Sequence, residues 1–124
     1  MIYLIDDSPM DALVIQNGLE MAGLEMAYFE SAKEFFAKAD LSGPANHLLL
    51  VDLVMPDTDG LEMLQEMAGE KIGHPIVIIT AYEESYIKVA LELATTWGLN
   101  MVGGLKKPVD IEKVAAIARQ NGVN

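Results

Sequence analysis

Short, wholly apolar runs alternate along the chain with longer segments of helical period. Ile2–Ile5 is apolar throughout and stops at Asp6-Asp7. Pro9 follows, where a first helical turn tolerates proline because the missing N–H has no intrahelical partner. Leu13, Val14, Leu19 and Met21 form an apolar stripe that ends near Gly23, and this predicts a first helix. Leu24–Phe29 reads as a second strand. Ser31 suits an N-cap with Glu34 as its capping-box partner, opening a helix that carries Phe35 and Phe36. Asp40–His47 is a loop by composition. Leu48–Val51 is fully apolar and ends at Asp52. A helix with Leu61, Met63, Leu64 and Met67 begins at Gly60. Pro75–Ile79 is the third strong apolar run and ends at Thr80. Glu83–Trp97 has helical period, and Asn100–Leu105 is a weaker, glycine-rich strand. After Lys107-Pro108 a last helix runs from about Val109 to Gln120.

The pattern is five strand–helix units in succession. Strands without polar alternation are those buried on both faces, so the runs predict an α/β fold with a parallel sheet between two helical layers. No internal repeat, low-complexity tract or linker interrupts the 124 residues, which predicts a single domain over 1–124. The apolar positions read simply as core. Function belongs at the strand ends.

Composition narrows the classes. The chain has no cysteine, which removes disulfides and thiolate metal sites. MIYLIDDSPMD has no basic stretch ahead of its apolar run, so it does not read as a signal peptide. No apolar run reaches the roughly 20 residues that span a bilayer. These features predict a cytoplasmic protein without a membrane partner. The formal net charge is −11, against direct nucleic-acid binding and in favour of a cationic partner or a metal ion.

Ligands of an open α/β sheet bind beyond the carboxyl ends of its strands. Four runs place polar groups there: Asp6 and Asp7, Asp52, Thr80 and Lys107. Three carboxylates gathered at one edge repel one another, and a hard divalent cation such as Mg²⁺ relieves that repulsion. A carboxylate can also act as a nucleophile and form an aspartyl-phosphate. Phosphoryl transfer needs positioning and charge neutralisation, which Mg²⁺ and the Lys107 ammonium would supply. A Thr80 hydroxyl could donate to a phosphoryl oxygen. Taken singly, Asp7 reads equally well as an N-cap, Thr80 as a strand end and Lys107 as a solvated lysine; Asp57, Asp59 and Gly60 read as turn residues. The ordered conjunction points to chemistry.

In that conjunction the whole chain resembles the receiver domain of two-component response regulators. The resemblance implies a flavodoxin-like doubly wound five-stranded parallel sheet with five helices. Asp6-Asp7 matches the family's metal-binding pair, and Asp52-Leu53-Val54-Met55-Pro56 with Asp59-Gly60 matches its phosphoacceptor segment. By resemblance Asp52 accepts the phosphoryl group, and the Val54 backbone carbonyl completes the metal site. Thr80-Ala81 matches the switch threonine and its small neighbour, and Lys107-Pro108 the lysine followed by a proline that is often cis. The resemblance further implies Mg²⁺ and a phosphodonor, which is a sensor histidine kinase or a phosphotransfer protein. It also implies an output domain in the same chain or in a separate partner, and dimerisation through the face of the last strand. Such a domain is no turnover enzyme; it catalyses only its own phosphorylation and dephosphorylation.

Two features depart from the family pattern. Gly104 stands where the family usually carries an aromatic residue that swings inward, leaving Tyr82, Tyr86 and Trp97 as substitutes. The longer stretch from Leu93 to Pro108 is similar to receivers joined to EAL-type cyclic di-GMP phosphodiesterase domains. Three rival readings follow. Asp57-Thr58-Asp59-Gly60 imitates the nucleophile segment of haloacid-dehalogenase-like phosphatases, but lies past the strand end. Asp57, Asp59, Gly60 and Glu66 imitate a calcium loop whose first ligand would be Met55, which does not bind a hard cation. The third rival is a phosphorylation-independent binding module on the same fold.

Overall fold

The computed structural model describes residues 1–43, 46–55 and 58–123. Five parallel strands form one sheet: β1 (Ile2–Ile5), β2 (Met26–Phe29), β3 (Leu48–Asp52), β4 (Ile76–Thr80) and β5 (Met101–Lys106), in the order β2-β1-β3-β4-β5. Five helices connect or follow them: α1 (Pro9–Met21), α2 (Ala32–Lys38), α3 (Gly60–Gly69), α4 (Glu84–Thr96) and α5 (Ile111–Gln120). A two-residue antiparallel ladder, Val54–Met55 with Thr58–Asp59, leads from β3 into α3. Pro56 and Asp57, and with them part of the expected phosphoacceptor segment and of the phosphatase-like and calcium-loop rivals, lie outside the described residues. No helix among the described residues is long and apolar enough to cross a membrane.

Successive side chains of a strand point to opposite faces, so each apolar run feeds two cores. Tyr3, Ile5, Leu49, Val51, Ile76 and Ile78 pack under α2, α3 and α4. Ile2, Leu4, Leu48, Leu50, Val77 and Ile79 pack under α1 and α5. Burying a Leu or Ile in this way stabilises the fold by about 1.5–3 kcal/mol. The edge strand β5, the glycine-rich one, is only half-buried over most of its length.

Helix α1 corrects the sequence reading. Its buried residues are Ala12, Ile15 and Leu19, whereas Leu13, Val14 and Met21 of the expected stripe are exposed. The cause is close packing: a Cβ at Gly18 would stand 2.6 Å from Ile111 Cγ1 of α5. Residues 12, 15 and 19, three and four apart, share the one face that this approach covers, while Leu13, Val14 and Met21 fall on other faces. The N-cap is Ser8, whose Oγ accepts from the Asp11 N–H at 3.2 Å, so Asp7 is free of capping. Ser31 caps α2 as expected, its Oγ accepting from the Glu34 N–H at 3.1 Å. The two calcium-loop positions Gly60 and Glu66 fall inside α3, and Asp59 caps that helix by accepting from the Leu61 N–H.

Candidate phosphoacceptor site

The parallel register brings the carboxyl ends of β1, β3 and β4 to one edge. Among the described residues, the buried polar or charged side chains are Asp6, Asp52 and Thr80. All three terminate or directly follow strands at that edge. A buried carboxylate is costly unless paired, and both are paired. Asp6 Oδ1 accepts from the Ser8 N–H at 2.9 Å, and Asp52 Oδ1 accepts from the Val54 N–H at 2.9 Å. Their second oxygens accept from Lys107 Nζ, Asp6 Oδ2 at 2.8 Å and Asp52 Oδ2 at 2.9 Å.

Lys107 reaches the site because the end of β5 is tied to β4: its own N–H donates to the Thr80 carbonyl at 2.8 Å. The Lys107–Pro108 bond that follows is cis. Burial works against the Lys107 ammonium, but its hydrogen bonds to Asp6, Asp11 and Asp52 outweigh that penalty and its pKa is raised. Burial is also the main influence on Asp52 and pushes its carboxyl above the ordinary value of 3.8. The Val54 N–H and Lys107 pull in the opposite direction, and the Asp6 charge adds to the rise.

Asp6, Asp7 and Asp52 each offer a carboxylate oxygen, and these oxygens lie within 4.8 Å of one another. Three hard oxygen donors at that separation fit Mg²⁺. Asp7 is exposed, so one side of the trio opens to solvent. Thr80 is fully buried, with Oγ1 accepting from the Tyr82 N–H at 3.2 Å, and its neighbour Ala81 is exposed.

The residues found from the sequence thus converge, with one addition. Asp11 Oδ2 accepts from Lys107 Nζ at 2.9 Å. The sequence contained a signal for it: an acid in the first turn of α1, whose side chain leans toward the helix N-terminus and so back toward Asp6. Gly104 is tightly packed, because a Cβ there would collide with Ile87 Cγ2 and stand 3.2 Å from Leu91 Cδ1, both on α4. Of the aromatic substitutes, Tyr82 is exposed and stacks edge-on with Tyr86 at 5.5 Å, while Trp97 caps the far end of α4.

Residues 2–119 match the response regulator receiver domain family. The chain belongs to that family. Alkaline phosphatase synthesis transcriptional regulatory protein PhoP of Bacillus subtilis is 30% identical over 93 residues, covering 74% of this chain and 38% of the relative. Transcriptional regulatory protein FixJ of Bradyrhizobium diazoefficiens is 28% identical over 116 residues, covering 94% and 53% respectively. The chain therefore spans about half, or less, of the length of these relatives. A response regulator from Colwellia psychrerythraea has the same fold, with a TM-score of 0.78 at 22% identity over 96% of this chain and 93% of that one.

As a receiver domain the chain is a phosphorylation-dependent switch, a phosphoacceptor and not a turnover enzyme. The binding-module and phosphatase alternatives are not favoured. The resemblance to EAL-linked receivers gains no support from these relatives, which are named as transcriptional regulators.

Proposed function

We propose that Asp52 is the phosphoacceptor and that Asp6, Asp7, Thr80 and Lys107 serve its phosphorylation. The observation that carries this reading is the coincidence of burial and pairing: Asp52 is nearly inaccessible yet keeps both oxygens hydrogen-bonded, one of them to a lysine. A core carboxylate with no chemical task would more simply be an apolar residue.

In the transfer, an Asp52 carboxylate oxygen attacks the phosphorus of a phosphohistidine. The new P–O bond forms as the P–N bond breaks, and the imidazole leaves with the electron pair and takes up a proton. Asp6, Asp7, Asp52 and the Val54 carbonyl would hold Mg²⁺, which supplies charge neutralisation on the phosphoryl oxygens. Lys107 donates to a phosphoryl oxygen. The Thr80 hydroxyl, freed from the Tyr82 N–H, donates to another, with exposed Ala81 leaving the approach uncrowded. The domain itself catalyses both this step and hydrolysis of the product.

The donor is a sensor histidine kinase or a phosphotransfer protein. The output lies in the same chain or in a separate partner, and pairing through the β5 face joins two copies. With a net charge of −11, nucleic-acid contact is assigned to a region outside this domain. Incubation with a small phosphodonor and Mg²⁺ tests the reading. An intact-mass gain of one phosphoryl group, absent in Asp52→Ala, is expected; no gain in the unmodified protein would refute it.

A further inference from the structure

We propose that Asp11 is a positioning residue of this site: it occupies the third N–H of Lys107 at rest and yields it to the phosphoryl group. The inference rests on Asp52 being the phosphoacceptor.

A lysine ammonium has three N–H donors and no acceptor. At rest all three are engaged, by Asp6 at 2.8 Å and by Asp52 and Asp11 at 2.9 Å each. A phosphoryl oxygen on Asp52 needs one of them, so one carboxylate must let go. Asp6 is poorly suited, because its side chain is wholly inaccessible and its released oxygen would lose a partner inside the protein. Asp52 carries the phosphoryl group itself. The Asp11 side chain is 48% exposed, so its carboxylate returns to water on release. Its place is held in either state, because its backbone N–H is capped by Ser8 and its charge sits in the first turn of α1.

Asp11 also lies outside the carboxylate trio that fits a metal. Among the described residues, its side-chain hydrogen bond into the site is to the ammonium. The Asp11–Lys107 bond ties α1 to the segment after β5 at rest, and the phosphoryl group severs that tie. The resting chain therefore carries a built-in competitor for its own phosphate-binding lysine.

The test is the rate of phosphorylation of the full chain by acetyl phosphate with Mg²⁺, read by intact mass. Asp11→Asn, which keeps the shape and removes the charge, is expected to speed uptake about threefold at low ionic strength, the scale of a half-exposed ion pair. The gain is expected to fade in about 1 M salt. Repeating the substitution in Lys107→Ala separates competition from simple repulsion of the donor. There Asp11→Asn is expected to change nothing, and an equal gain would overturn the role. An unchanged or slower Asp11→Asn, in a protein that is phosphorylated on Asp52, would also overturn it. No phosphorylation of the unmodified chain would instead remove the site reading and this inference with it. A readout free of phosphodonor is the ¹⁵N resonance of the Lys107 ammonium, expected to shift in Asp11→Asn; an unmoved resonance would contradict the contact.

Discussion

Asp52 is a carboxylate kept in a place that disfavours its charge. Burial raises its pKa above 3.8, so the folded protein holds that proton more tightly than the unfolded chain does. The sign follows: Asp52 favours folding when protonated, below the ordinary carboxylate value, and loses that contribution as pH rises through its folded value. An amide at this position never ionises and avoids the loss. Asp52→Asn is therefore expected to be more stable than the unmodified protein near pH 7, by about 1 kcal/mol on the usual scale of single substitutions. The difference should shrink as pH falls toward 4 in urea titrations. A less stable Asp52→Asn at pH 7 would show that the Lys107 and Val54 hydrogen bonds outweigh burial. Lys107 has the same sign in a higher window, with the charged form favoured instead of the neutral one: its partners raise its pKa, so its contribution is present below 10.5 and is lost only as pH rises beyond that. At this scale Asp6, Asp52, Thr80 and Lys107 were legible in the sequence because each follows an apolar run. Asp11 follows no such run, and its contact depends on where the Lys107 side chain ends.

Among the elements, α4 and β5 differ most from what the family pattern implies. The Gly104 position has neither an aromatic ring nor a vacancy. Ile87 and Leu91 of α4 rest against the strand backbone there. A methyl group at Gly104 meets the branch of Ile87, which cannot turn aside as a long flexible chain would. Gly104→Ala is expected to destabilise the domain by about 1–3 kcal/mol, the usual cost of overpacking. Combining it with Ile87→Ala should cost less than the two changes summed, a coupling of about 0.5–3 kcal/mol. Strict additivity in denaturant titrations would contradict the packing. Sequence alone showed that a ring was missing, but not what replaced it, because that depends on how closely α4 approaches. The same limit explains α1. Its apolar residues predicted a helix correctly, yet the buried stripe is Ala12, Ile15 and Leu19, since Gly18 lets α5 approach closely. Strands buried on both faces were the most legible elements, and their ends lay within about two residues of those read from the apolar runs.

For the molecule as a whole, the doubly wound sheet separates stability from chemistry. Two apolar cores hold the strands in register, and among the described residues the buried polar or charged side chains Asp6, Asp52 and Thr80 gather at one edge. Asp7 belongs to that edge but is exposed, so Asp7→Ala is expected to leave the fold within about 0.5 kcal/mol of the unmodified protein. The same change should remove a trio member and with it the metal's effect on stability. Mg²⁺ is expected to raise the melting temperature of the unmodified chain, by the equivalent of about 2.7 kcal/mol at a hundredfold excess over its dissociation constant, and to leave Asp7→Ala nearly unmoved. Equal shifts in both would argue against the trio as the site. Borohydride reduces an aspartyl-phosphate to homoserine, which marks the acceptor for peptide sequencing. The chain phosphorylated in Mg²⁺ and then reduced should carry homoserine in place of Asp52. Homoserine in place of Asp6 or Asp7, or at no carboxylate, would contradict the account.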